Sequence, residues 1–406
     1  MRSRLAKSRQ QAPEGYPLQW APAWFASPQP VWSDGLPLAA DLPSDLHDVT
    51  LRQVVQLGYA GHQIRLLISN RYGAVPTSLD KIVVAPSVGG CRIDAARSRV
   101  VTFSGAETVT IPPDAVVASD AAGLEVASGD SLAISIRLRD APRLGGFHWD
   151  GRRTGYILQG DQLDVASPVS RATTERRLLL KAIYVACPAP LGVVAVMGDS
   201  ITDGAGATLD RDARWPDFLA PAAARNGYAV VNAGISGARL LSDGMGEHVL
   251  ARFDSDVASQ PGICAVILLI GINDIAWPGT AFAPREAPMT FERMIAGYAA
   301  VIARGHAANL RIIGGTLSPF VDALPDTPMA STYYSLEKDV LRRRVNEWIR
   351  TSGAFDALVD FDRVLADPQS PSRLLPRFDS GDHLHPGDEG NLAMAAAVDL
   401  ESFRGR

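Results

Sequence analysis

Two rhythms of apolar and polar residues divide the chain. From about Trp24 to Ala186 the apolar positions come in short runs closed by Gly, Pro, Asp and Asn: 49–57, 63–70, 81–84, 99–103, 107–111 and 131–138. The runs are rich in Val, Ile and Thr and partly alternate, which predicts strands bounded by turns. No helix-period pattern of useful length occurs there. Residues 24–186 are therefore expected to form an all-β sandwich or jelly roll. Residues 1–23 read as a tail, and Cys187-Pro188-Ala189-Pro190 as a linker.

Beyond the linker the rhythm changes. Apolar runs at 193–197 and 265–270, with the shorter segments 229–231, 311–316 and 357–361, read as strands of a parallel sheet. Between and after them, helical patterns fall at about 214–224, 249–258, 290–308, 335–352 and 387–403. Strands alternating with helices specify a parallel sheet with helices on both faces. Residues 191–406 are expected to be a doubly wound α/β domain.

Composition narrows the function classes. The chain is 47% hydrophobic and 20% charged, ordinary for a globular protein, with a net charge of −5. That balance argues against a nucleic-acid partner, which usually demands a basic face. No apolar run reaches the ~18 residues of a membrane helix. The basic N-terminus has no apolar core behind it, so it does not read as a signal peptide. The expected compartment is the cytoplasm, or the periplasm or exterior if a leader has been lost. Cys91, Cys187 and Cys264 lack metal-ligand spacing and read as structural residues. No metal or other cofactor is expected.

Chemistry-bearing residues cluster where strands end. Gly198-Asp199-Ser200 follows the first parallel strand, and Asn232-Ala233-Gly234-Ile235-Ser236-Gly237 begins at the end of the second. Gly271-Ile272-Asn273-Asp274 follows the third, and Asp382-His383-Leu384-His385-Pro386 precedes the last helix. Open α/β sheets bind ligands at the carboxyl ends of their strands. Singly, each motif reads as well as a turn or a helix cap. In this order and at these places, they point to one site.

The four blocks resemble those of the SGNH hydrolases, the GDSL-type esterases and lipases, over about residues 191–403. The resemblance implies a flavodoxin-like fold and a serine esterase. Ser200 would be the nucleophile, with Asp382 and His385 completing the triad. Ser200 and Gly237 would supply backbone N–H groups, and Asn273 its amide, to the oxyanion hole. The first block reads Asp-Ser-Ile rather than Asp-Ser-Leu. Thr202 to Thr208, Arg214-Trp215-Pro216 and Arg350 to Asp356 are similar to a bacterial subgroup containing acetylxylan-esterase-like enzymes. Leu51 to Val55 and Ser69 to Gly73 are similar to the N-terminal β domain that members of this subgroup often carry.

The chemistry is coherent with that likeness. A serine hydroxyl attacks only when a base takes its proton. A histidine suits that task near neutral pH, and a carboxylate on its far nitrogen fixes the tautomer. One bend of loop can bring Asp382 and His385 together. His383, adjacent to Asp382, is the rival base, and the family spacing selects His385, leaving His383 to line the pocket. Asp254, Asp256, Asp360 and Asp362 read as caps and solvated faces. The expected substrate, by the subgroup likeness, is a short acyl ester, acetyl on a small molecule or oligosaccharide. The alternatives are a lipase or thioesterase for longer chains, or a carbohydrate-binding protein with an inert α/β domain. The β domain could bind glycan or merely wall the cleft. Substrate-binding residues and oligomeric state are not legible.

Overall fold

The structure is a computed structural model, and it describes residues 18–32, 36–188 and 190–404. The N-terminal region is built largely from antiparallel strands. One sheet has the order Leu18–Phe25, Leu180–Pro188, Gln63–Ser69, Val116–Ala118. A larger sheet is centred on Val49–Gln56, Ser131–Leu138 and Lys81–Gly89. Gln63–Ser69 alternates buried and more exposed positions, as a strand with one covered face must. Its Ile64, Leu66 and Ile68 share a core with Leu51, Ile82, Ile134 and Ile136 of the larger sheet, all fully buried. Val49–Gln56 is buried along nearly its whole length. Arg52 on this strand explains how. Its guanidinium donates to the carbonyls of Cys91, Gln162 and Leu163, so it holds loops over the sheet's other face.

The strand Leu18–Phe25 begins ahead of the boundary expected at Trp24. The expected tail thus contributes an edge strand, and its residues 1–17 lie outside the described part. Leu180–Pro188 likewise runs into the expected linker. Its burial has a cause outside its own domain. Phe25, Ala182 and Tyr184 pack into the core of the C-terminal domain. Tyr184 Oη donates to Gln260 Oε1 at 2.5 Å across that junction.

The C-terminal domain has five parallel strands: β1 Gly192–Gly198, β2 Tyr228–Gly234, β3 Ile263–Leu269, β4 Arg311–Gly315 and β5 Ala357–Val359. Their spatial order is 2-1-3-4-5. β1 is buried throughout, as its unbroken apolar run requires. Helix starts follow their caps. Thr290 Oγ1 accepts from Arg293 N at the head of Phe291–Ala307, and Ser335 Oγ from Lys338 N at the head of Leu336–Thr351. Trp215–Arg225 starts with a proline in its first turn.

Three expectations need correction. The helix expected over 387–403 stops after Asp388–Ala396. Asp399 then caps a separate 3-10 turn, Leu400–Phe403, by accepting from Glu401 N. The segment 249–258 is α-helical only over Val249–Phe253 and continues as a π turn. Asp256 is not on a solvated face. It is 2% exposed and bonds Arg252 at 3.0 Å. Asp360 does cap a helix, Phe361–Leu365, and Asp254 is exposed beside Arg304. Among the described residues no helix is long and apolar enough to cross a membrane.

Candidate active site

β1 ends at Gly198, and the chain turns at once into the short helix Ser200–Asp203. Asp199 makes that turn. Its Oδ1 accepts from Ile201 N at 3.1 Å, capping the helix. The turn leaves the Ser200 hydroxyl facing the loop before the last helix. There Ser200 Oγ lies 2.8 Å from His385 Nε2. His385 Nδ1 lies 2.5 Å from Asp382 Oδ2. The Asp-x-x-His spacing works through the other carboxylate oxygen. Asp382 Oδ1 accepts from Leu384 N and His385 N, at 3.0 and 2.8 Å, and so closes the bend that aims the ring. Burial alone would raise the Asp382 pKa. The hydrogen bond and charge of His385, with those two N–H groups, outweigh it and hold the carboxyl well below its usual range.

His383 is turned elsewhere. It sits in the left-handed backbone region at φ +61°, and its Nδ1 lies 2.5 Å from Asp379 Oδ2. Two Asp–His pairs thus stand side by side in one loop, and of these two histidines His385 is the one bonded to Ser200.

The segments after β2 and β3 meet beside Ser200. Ile235 N donates to Gly198 O at 3.1 Å, tying the second loop to the serine turn. Gly237 has φ +74°, and a Cβ there would collide with Met245. Glycine is therefore needed on both conformational and steric grounds. Among the described residues neither Ser200 N–H nor Gly237 N–H donates to a protein acceptor. Asn273 Nδ2 donates to Ala238 O at 3.0 Å, and its Oδ1 accepts from Tyr333 Oη at 2.8 Å. The second amide hydrogen is left unused. Three N–H donors of the expected oxyanion hole are thus without a protein acceptor among the described residues.

Several supporting residues lie outside the expected triad and oxyanion hole. Asp274 accepts from Leu240 N and Leu241 N, bracing the loop from β2; burial pushes its pKa up to about 6. Asp203 Oδ2 accepts from both N and Oγ of Ser236, at 2.8 and 2.9 Å. Its Oδ1 lies 2.9 Å from His148 Nε2, a residue of the N-terminal domain. His148 Nδ1 faces Ser27 O at 3.0 Å. Burial disfavours a charged imidazole there, but Asp203 and the Ser27 carbonyl raise the His148 pKa above its ordinary value. Arg252, fully buried, donates to Ala233 O at 2.6 Å and Gly198 O at 3.2 Å, clamping the ends of β1 and β2. The spacing of these residues in sequence carries no signal, because their partners lie far away along the chain. Among the described residues no His, Cys, Asp or Glu cluster could hold a metal ion.

Residues 196–393 match the GDSL-like lipase/acylhydrolase family. No curated protein matches the chain. Solved structures that it is similar to include a carbohydrate acetylesterase from Sinorhizobium meliloti, with 17% identity over 51% of this chain and 95% of that one (TM-score 0.39). A GDSL-like lipase from Bacteroides thetaiotaomicron is 21% identical over 51% and 85% of the two chains (TM-score 0.37). An acetylxylan esterase from Geobacillus stearothermophilus, in a catalytic mutant, is 22% identical over 53% and 97% (TM-score 0.38).

Proposed function

We propose that this chain, whose residues 196–393 match the GDSL-like lipase/acylhydrolase family, an ester-cleaving hydrolase family, cleaves short-chain O-esters of carbohydrates through Ser200. The observation that carries this reading is the unbroken chain Ser200 Oγ, His385 Nε2, His385 Nδ1, Asp382 Oδ2. Ser200 Oγ attacks the ester carbonyl while His385 Nε2 takes its proton. Asp382 holds the tautomer and stabilises the imidazolium. Negative charge develops on the carbonyl oxygen, and the N–H groups of Ser200, Gly237 and Asn273 receive it. The tetrahedral intermediate collapses as His385 gives the proton to the departing alkoxide. Water, deprotonated by the same nitrogen, then frees the acyl group and restores Ser200.

A short acyl group is favoured by the packing beside the oxyanion loop. Met245, Ile272, Trp277, Phe320 and Tyr333 form one buried cluster there, and we read it as a wall that limits acyl length. We read the 2-1-3-4-5 strand order as flavodoxin-like winding, with β1 and β3 flanking its switch point. The N-terminal sheets read as a sandwich, supported by their shared core. A fluorophosphonate probe should label Ser200, and Ser200→Ala should abolish both labelling and turnover. Turnover that survives in Ser200→Ala overturns the mechanism. Along an acetyl-to-decanoyl ester series, kcat/KM should be highest at the short end. A maximum at eight carbons or longer rejects the short-acyl reading.

A further inference from the structure

The N-terminal domain contains a cavity of about 830 Å³, within the range of small-molecule sites. Its wall is polar and carries both signs of charge. Trp149, Asp150, Arg152, Thr173 and Glu175 are among its lining residues. One of them is out of balance. Asp150 is only 5% exposed, yet among the described residues its carboxylate accepts no hydrogen bond. The nearest cation, Arg152 Nη1, stands 3.6 Å away, too far for one. Burial, and next the Asp203 carboxylate, raise the Asp150 pKa, so the ion is held at a cost.

The nature of the deficit identifies the ligand. Arg152 and Arg214 already act on Asp150 electrostatically. What the carboxylate lacks is donors, not countercharge. A cationic ligand would meet the guanidinium groups of Arg152, Arg171 and Arg176 in the wall, and an anionic one would meet Asp150, Asp41 and Asp45. A neutral ligand bearing adjacent hydroxyls satisfies both carboxylate oxygens with no charge to bury. We propose that this cavity binds the hydroxyl groups of a neutral saccharide, with Asp150 as their acceptor. The proposal deepens the carbohydrate-ester reading and rests on it for its link to catalysis.

The cavity wall is tied to the catalytic loop. Arg152 donates to Ala207 O. The neighbouring Gly206, at φ +87°, packs so closely that a Cβ there would lie 3.0 Å from His385 Cβ. A saccharide held at Asp150 therefore lies on the histidine side of the site. The test uses the full chain with Ser200→Ala, so that no turnover intervenes. Calorimetric titration with neutral xylo-, cello- and manno-oligosaccharides should show saturable binding of at least one. Adding Asp150→Asn should weaken that binding at least tenfold while the melting curve stays cooperative. No binding of any oligosaccharide, or undiminished binding after Asp150→Asn, overturns the proposal. If Asp150→Asn fails to fold, hydrogen exchange on the Ser200→Ala chain decides. Saccharide must protect residues 150–152 and 171–176, and protection elsewhere alone refutes the assignment. Wild-type turnover of 4-nitrophenyl acetate, measured alongside, reports on Ser200 separately. Its absence with binding intact would fell the catalytic reading and leave the cavity standing.

Discussion

Replacing Tyr333 by Phe removes one oxygen atom and tests how the oxyanion site is held. Tyr333 is 1% exposed, and its hydroxyl donates to Asn273 Oδ1 at 2.8 Å. Burial raises the phenol pKa well above its usual value, so it remains a neutral donor at any working pH. Asn273 is itself buried and gives one amide hydrogen to Ala238 O. With both anchors in place the second amide hydrogen has one direction. In Tyr333→Phe the Oδ1 acceptor is stranded in a dry site, which costs about 1–3 kcal/mol of stability. Each kcal/mol lowers Tm by about 2–4 °C in a domain of this size. Losing an oxyanion donor outright costs about 3 kcal/mol of transition-state stabilisation, so Asn273→Ala should lower kcat by about 10²- to 10³-fold. Tyr333→Phe keeps the donor but frees its rotation, and about 1 kcal/mol, near fivefold in kcat, is expected. The double variant should be no slower than Asn273→Ala, because Tyr333 acts only through that amide. Steady-state kinetics on 4-nitrophenyl acetate and thermal melts of all four proteins measure the cycle. If the two losses multiply, or if Tyr333→Phe lowers Tm with kcat unchanged, the positioning argument fails.

Three further substitutions test separate links. His385→Ala should lower kcat by about 10³-fold or more, whereas His383→Ala, which breaks only the bond to Asp379, should leave kcat within a few-fold; the reverse ranking would move the base to His383. His148→Gln should lower kcat more than it changes KM and should lower Tm, since it strands the buried Asp203 that holds Ser236; breaking a buried pair costs about 3–5 kcal/mol, and an unaltered Tm would refute the coupling. Burial lifts the Asp199 pKa from 3.8 to about 7. Between those values the folded chain holds a proton that the unfolded chain has released, so Asp199 makes stability fall as pH rises from about 4 to 7. Asp199→Asn, which can still cap the helix, should remove that component, and a denaturation profile against pH as steep as wild type would contradict it.

What the sequence determined by itself is what lies close together along the chain. The apolar runs at 193–197 and 265–270 became central parallel strands, because a strand covered on both faces must be apolar throughout, whereas β5 at the edge leaves Leu358 exposed. Thr290 and Ser335 start their helices by bonding N–H groups three residues on. Asp382 and His385 meet because one bend spans their spacing, so their pairing is legible in the loop itself. Boundaries were less legible. Tertiary packing made a strand of Leu18–Phe25, and the last helix broke at Asp399, where a cap competed with helical periodicity. Only the tertiary structure gave His383 its partner Asp379, whereas the family spacing by itself selects His385 as the base. It also decided the partners of Asp256, which Arg252 draws inside, and the bonds His148–Asp203 and Tyr333–Asn273. The last two pairs are separated by long stretches of chain, and no periodicity relates them; Arg252 and Asp256 stand one helical turn apart, but their burial depends on what packs over them. Their contact is created when packed elements close against each other and buried polar groups must find partners.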